Sequence, residues 1–314
     1  MSKSRFKIVT RSQGNNARVI DGVVKPESFE FEFIDVPVLV HGFRRMVREL
    51  EFDICEMALT TYLCAREHGV QFTALPIFLV RNFHHGAIYR KLTSESLNPA
   101  DLEGKRVGVN RGYTVTTGVW ARSILHDEYG VDLSKVTWVL TGDEHVEAYR
   151  PPSNVVPLPD GHSMEELLIS GDLAAAVGAS LDSDAIGPLL QEPFEAGVTA
   201  LQNRGFYPIN HLMVVRNDVL AENPTLAEQL FELFAESKRL YIEDLKAGKI
   251  ESLSPVDKVH LRAIEINHDP LPYGIEPNRE ILQQLINHAL MQRILKKPTD
   301  VNALFAESTL ELIA

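Results

Sequence analysis

Short apolar stretches alternate with amphipathic ones along most of the chain. FKIVT (6–10) has strand length, and FEFEFIDV (29–36) alternates apolar and acidic positions with period two, as a half-exposed strand does. Residues 38–50 change to helical spacing. Val38, Val40, Phe43, Val47 and Leu50 fall largely on one face, with Arg44, Arg45 and Arg48 mostly opposite. FDICEMAL (52–59) predicts a buried strand, TTYLCAREHG (60–69) a helix ending at Gly69, and FTALPIFLV (72–80) and GAIYRKL (86–92) further strands. RVGV (106–109), VTWVL (136–140), LAAAVGA (173–179) and HLMVVRN (211–217) continue the strand series. Helices are predicted over 116–130 and up to Ile169, where Ser163 and Glu166 have capping-box spacing. Strands alternating with helices argue for a mainly parallel α/β sheet.

The pattern breaks twice. Residues 94–105 are polar and carry Pro99 and Gly104, and residues 141–162 are loop-rich. After Asn223-Pro224, an N-cap followed by proline, one long amphipathic helix runs to about Lys246, and two more are predicted near 277–295 and 300–313. One set of βα units, an inserted second set, then a return strand and helices suggest a discontinuous first lobe of 1–97 and 210–314 and a second lobe of 98–209. Ligands of such folds bind in a crevice at the carboxyl ends of strands, so the ligand cleft is expected between the lobes.

The 314 residues are enough to bury a large core without disulfides or metals. A net charge of −12 argues against nucleic acid and anionic membranes as partners. The two cysteines, Cys55 and Cys64, form no C-x-x-C pair and read as small core residues in a reducing compartment. No apolar run suits an export signal or a membrane span, so a cytoplasmic location is expected.

Candidate chemistry collects in the loops after strands. Gly112-Tyr113-Thr114-Val115-Thr116-Thr117 opens a helix, where free N–H groups and the helix dipole favour an anion, although Thr116 could be an ordinary cap. Arg81 precedes Phe83, His84 and His85, pairing a bidentate carboxylate donor with groups that titrate near neutrality. Arg18 is a second candidate anion clamp. Glu56 lies in an apolar run, where an unpaired carboxylate is costly, so it should meet a ligand or a positive partner. Ser180 and Asp182 follow LAAAVGA, and Phe206-Tyr207-Pro208-Ile209-Asn210-His211 leads into the return strand. His84, His85, His211 and Glu56 lack the spacing of a metal motif, so no resident metal or cofactor is expected; a divalent ion on these four stays open. Phosphate-loop, G-x-S-x-G and G-x-G-x-x-G patterns are missing from the sequence.

ELEFDICEMALTTYL, PIFLVRNFHHGAIY, DLEGKRVGV, TTGVWARSILHDEYGVD and GFYPINHLMVV occur in an order and spacing that resemble the 4,5-dihydroxyphthalate decarboxylase family over about residues 5–240. That family in turn resembles the type II periplasmic-binding-protein fold, implying two α/β lobes joined by two crossovers. The resemblance places Arg18, Glu56, Thr60, Thr61, Arg81, Phe83, His84, Tyr113, Thr116, Trp120 and His211 at family positions. The segments 143–152 and 179–186 and the pair Asn110-Arg111 depart from the family pattern.

The expected activity is therefore cofactor-independent decarboxylation of a hydroxylated aromatic acid, 4,5-dihydroxyphthalate-like, to a catechol-type product and CO₂. Catalysis would rest on His211 or His84 as the acid, with Glu56 orienting or deprotonating a ring hydroxyl. Arg18, Thr60, Thr61, Arg81, Phe83, His85, Tyr113, Thr116, Thr117, Trp120 and Tyr207 would bind substrate. The alternatives are a solute-binding protein for a small anionic or aromatic ligand, or another cytosolic enzyme of the same fold. A small aromatic acid is the expected partner, and self-association is left open.

Overall fold

The computed structural model describes residues 3–93, 97–179, 181, 183–266 and 268–314. Ser180 and Asp182 lie outside the described residues, as does part of the polar stretch 94–105. The strands are β1 (Ser4–Val9), β2 (Phe29–Phe33), β3 (Ile54–Ala58), β4 (Phe72–Arg81), β5 (Ile88–Lys91), β6 (Arg106–Val109), β7 (Thr137–Leu140), β8 (Val155–Pro157), β9 (Ala175–Val177), β10 (Ile186–Pro188) and β11 (Ile209–Arg216). The helices are α1 (Ala17–Ile20), α2 (Leu39–Glu49), α3 (Leu59–Glu67), α4 (Thr116–Tyr129), α5 (Met164–Ser170), α6 (Pro193–Arg204), α7 (Asn217–Glu222), α8 (Leu226–Lys246), α9 (Pro255–Glu265) and α10 (Arg279–Met291).

The chain divides into two compact units. The first comprises Met1–Asn82, Ile209–Gln283 and Thr299–Ala314; the second comprises Phe83–Pro208 and Gln284–Pro298. The first unit is discontinuous, but its boundary falls at Asn82 rather than at residue 97. The reason is pairing: β5 hydrogen-bonds to β9 and β10 and so belongs to the second sheet. Residues 284–298 also leave the first unit, because Gln292 donates to the carbonyl of Val119 and accepts from Arg122, both in α4.

The first sheet has the order β2-β1-β3-β11-β4. β1, β2 and β3 run parallel, and β11 is antiparallel to both β3 and β4. The strands β1, β3 and β4 therefore end at one edge, the edge at which β11 begins. β3 is buried at all five positions, which is why its sequence is a near-continuous apolar run. The second sheet has the order β10-β5-β9-β6-β7-β8, parallel from β9 to β8, with β5 and β10 antiparallel.

Two helical expectations change. In α2 the buried stripe is Phe43, Met46 and Val47, while Val38 stays exposed outside the helix as its N-cap. Residues 300–313 are not a helix. Two short 3-10 turns flank an extended Phe305, Ala306 donates its N–H to the Ala74 carbonyl of β4, and Ile313 bridges to Gly274. These bridges give backbone groups of the segment partners on β4 and at Gly274. Conversely, α9 carries a full capping box from Ser254 and Asp257 that the hydrophobic pattern does not reveal. Cys55 and Cys64 are buried and are not joined in a disulfide.

Candidate active site

Strand register builds the centre of the first unit's site. Glu56 on β3 lies opposite Met213 on β11, and His211 lies opposite Ala58. His211 and Met213 share a face, as do Glu56 and Ala58, so Glu56 and His211 are diagonal neighbours across an antiparallel pair. Their side chains lean together until His211 Nδ1 is 2.6 Å from Glu56 Oε1. Glu56 is fully buried, whereas the His211 side chain keeps 18% exposure.

Three further donors complete the carboxylate's shell, all from the loop that follows β1. Thr10 Oγ1 donates to Glu56 Oε2 at 2.8 Å, the Arg11 N–H at 3.0 Å, and Gln13 Nε2 reaches Oε1 at 3.4 Å. Asn16 ties that loop together by donating to Thr10 Oγ1 and to the Arg11 carbonyl. Burial by itself would raise the Glu56 pKa. The bond to and charge of His211, the Thr10 hydroxyl and the Arg11 N–H outweigh it and hold the carboxyl below the usual range. An ionised Glu56 accepts from His211 Nδ1 and so fixes the Nδ1–H tautomer of the ring. The Phe43 ring stands edge-on to the imidazole at 5.2 Å, limiting its rotation.

The other expected residues of this unit occupy the same sheet edge in different roles. Thr60 and Thr61 are buried in the first turn of α3, which starts immediately after β3. Arg81 ends β4 opposite Ile209; its guanidinium donates to Asn278 Oδ1 and to the Pro272 carbonyl. Arg18 lies in α1 and forms an ion pair with Asp244 of α8, which also holds Lys249 at 3.3 Å. Its head is thus committed within the protein.

The remaining candidates belong to the second unit. Phe83 packs on Phe194 and Tyr207, with ring centroids 5.8 and 5.4 Å away. His84 and His85 form a buried 3-10 turn, and His85 Nε2 lies 3.1 Å from both carboxylate oxygens of Glu128. Trp120 is fully buried against Phe206 and His288. Thr116 and Thr117 open α4. The loop before them does cradle a carboxylate, that of Glu144, which accepts from the N–H groups of Tyr113 and Thr114 and from the Thr114 hydroxyl. Gly112 permits this approach, since a Cβ there would lie 2.6 Å from Glu144 Oε2.

Sequence reasoning missed Arg122 and Glu144. Arg122 is completely buried, donates to the Tyr113 carbonyl at 2.6 Å and to Gln292 at 2.7 Å, and lies 3.9 Å over the Tyr113 ring. An arginine at a helical core position was the available signal. Among the described residues no three His, Cys, Asp or Glu side chains converge as metal ligands. No helix among them is long and apolar enough to cross a membrane.

Two α/β units, each built from more than one segment of the chain, make a periplasmic-binding-protein-like fold, and solved structures share it. The alkanesulfonate-binding protein SsuA of Xanthomonas axonopodis pv. citri, bound to MOPS, superposes with TM-score 0.54 at 13% identity, over 98% of this chain and 99% of that one. The desulfurization enzyme DSZB superposes with TM-score 0.55 at 13% identity, over 98% of each chain. A Candida albicans gene product described as having the generic periplasmic binding protein fold gives 0.53 at 12%, over 99% of this chain and 98% of that one. No protein-family model matches.

Sequence relatives are more particular. The chain is 27% identical to the 4,5-dihydroxyphthalate decarboxylase of Comamonas testosteroni over 99% of both chains. It is 34% identical to an enzyme of the same name from Pseudomonas putida over 43% of this chain and 55% of that one. The resemblance read from the sequence thus extends along the whole chain.

Proposed function

We propose that the protein is a carboxy-lyase that removes CO₂ from a hydroxylated aromatic acid of the 4,5-dihydroxyphthalate type, with His211 as proton donor and Glu56 as the group that orients it. The observation that carries this reading is the 2.6 Å contact between His211 Nδ1 and the fully buried Glu56 carboxylate. The full-length similarity to a 4,5-dihydroxyphthalate decarboxylase supports the substrate class.

The chemistry needs few parts. A ring hydroxyl pushes electron density toward the carbon that bears the carboxylate. Protonated His211 delivers a proton from Nε2 to that carbon, the ring π electrons forming the new C–H bond. The C–C bond to the carboxylate then breaks, its electron pair restores aromaticity, and CO₂ departs. One proton is consumed, and His211 regains it from solvent through its exposed edge. General acid catalysis of this kind contributes roughly 10²–10⁴-fold. Glu56 stabilises the imidazolium before transfer and holds the ring in one orientation throughout. The Arg81 guanidinium, buried at the same sheet edge where it donates to Asn278 and the Pro272 carbonyl, contributes positive potential toward the substrate's carboxylates rather than a direct fork. The hydroxylated ring is its own electron relay, so the reading assigns no cofactor or metal.

The test is a panel of hydroxylated aromatic mono- and dicarboxylic acids scored for CO₂ release. Turnover of ortho-dicarboxylates bearing ring hydroxyls, lost in His211→Gln, is the expected result. Tight one-to-one binding without CO₂ release would turn the reading toward a solute-binding protein.

A further inference from the structure

The loop that holds Glu56 rests on one close contact. Gln13 to Asn16 form a tight turn, with the Asn16 and Ala17 N–H groups both donating to the Gln13 carbonyl and Gln13 N donating to Asn16 Oδ1. Gly14 sits at its tip, against the ring of Tyr241 from α8. A Cβ on Gly14 would lie 2.2 Å from Tyr241 Cε2 and 2.7 Å from Cζ, far inside van der Waals contact. Gly14 does not have the left-handed φ that would itself demand glycine. Space, not backbone conformation, is what requires glycine here.

The ring cannot yield easily. Tyr241 is 3% exposed and packs with Leu245 and Leu271. Its hydroxyl donates to Asp257 Oδ1 at 2.5 Å and lies 2.8 Å from His260 Nδ1, both on α9. Asp257 is locked in turn by the Ser254 N–H and hydroxyl at 2.8 and 2.7 Å. On the other side, Asn15 Nδ2 donates to the Leu79 carbonyl and to Tyr273. The turn is therefore pinned between two fixed supports, and its neighbours Thr10, Arg11 and Gln13 are the groups that hold Glu56.

We propose that Gly14 and Tyr241 are positioning residues: their contact sets the height of the Thr10–Asn16 loop and, through it, the orientation of Glu56 and His211. The effect on catalysis rests on the decarboxylase reading, while the effect on geometry does not. The experiment compares wild type, Gly14→Ala, Tyr241→Leu and the double variant Gly14→Ala/Tyr241→Leu. It measures steady-state kinetics and the NMR resonance of the His211 Nδ1 proton. Displacing a catalytic group by a fraction of an ångström costs about 10–100-fold. Gly14→Ala should lower kcat by that factor with KM nearly unchanged, and should shift the His211 resonance. The double variant, which makes room for the methyl, should recover much of both. Wild-type kcat and resonance in Gly14→Ala, or a double variant no better than Gly14→Ala alone, would overturn the proposal. If Gly14→Ala does not fold, Tyr241→Leu alone decides, because it removes the ring carbons that Gly14 packs on: a shifted resonance supports the proposal and an unshifted one refutes it. If the wild-type protein releases no CO₂, the decarboxylase reading fails and the resonance alone settles the positioning.

Discussion

His211 and Glu56 meet although neither is the other's partner in the strand ladder. Glu56 pairs with Met213 and His211 with Ala58, yet the side chains close the diagonal to 2.6 Å. A slip of β11 by one residue would turn the imidazole to the opposite face of the sheet. The pair is thus as secure as the register between β3 and β11, which is regular from His211 to Val215 even though the β4 side of β11 shifts register on both sides of His211.

Replacing His211 by Gln keeps a polar side chain of similar reach but removes the transferable proton. We expect kcat to fall roughly 10²–10⁴-fold with little change in KM. His84→Gln, in the second unit, should keep kcat near wild type. Steady-state kinetics of the two variants on one accepted acid checks both statements; near wild-type turnover in His211→Gln would remove it as the acid.

Glu56→Gln retains an acceptor for Thr10 and Arg11 but turns an amide toward His211. The imidazolium loses its counter-charge, and kcat should fall on the order of 10–10³-fold. The folded-state pKa of Glu56 is depressed, so its contribution to stability is present above the ordinary carboxylate range and is lost as pH falls through the folded value. Wild type should accordingly lose more stability than Glu56→Gln below about pH 4, as denaturant titrations at pH 3 and 7 would show.

Burial pushes His260 down to about 4 from 6.5, Asp257 opposing this and Arg81 reinforcing it. The unfolded chain therefore binds a proton that the folded protein refuses between those values. Stability should fall as pH drops from about 6.5 to about 4, by about 3 kcal/mol from this group. The variant His260→Asn should flatten that part of the pH–stability curve; an unchanged slope would assign the loss elsewhere.

Arg122→Met removes a buried guanidinium and leaves the Tyr113 carbonyl and Gln292 Oε1 without their donor. Each orphaned buried acceptor costs about 1–3 kcal/mol. A loss of about 2–5 kcal/mol is expected, read as a lower Tm and denaturation midpoint.

Arg18→Ala should leave kcat and KM within about twofold of wild type, because its ion pair with Asp244 is a partly exposed structural contact. A large rise in KM would show instead that Arg18 leaves Asp244 to bind substrate.

Much of the architecture was legible in the chain. Period-two alternation and short apolar runs marked β1 to β4 and β11, and the Ser163–Glu166 spacing marked α5, because these signals are local. The burial of Glu56 could also be read locally, since a carboxylate inside an apolar strand needs a partner. Which partner it takes is a property of the register between β3 and β11, 155 positions apart in the sequence. The helical spacing of 300–313 misled, because backbone pairing with β4 and with Gly274 outweighs the weak propensity of a short segment. Arg18 and Arg122 look alike in sequence. Tertiary structure gave one to Asp244 and buried the other beneath Tyr113. Local spacing sets the elements; long-range pairing, which no local pattern encodes, decides which polar groups share a site.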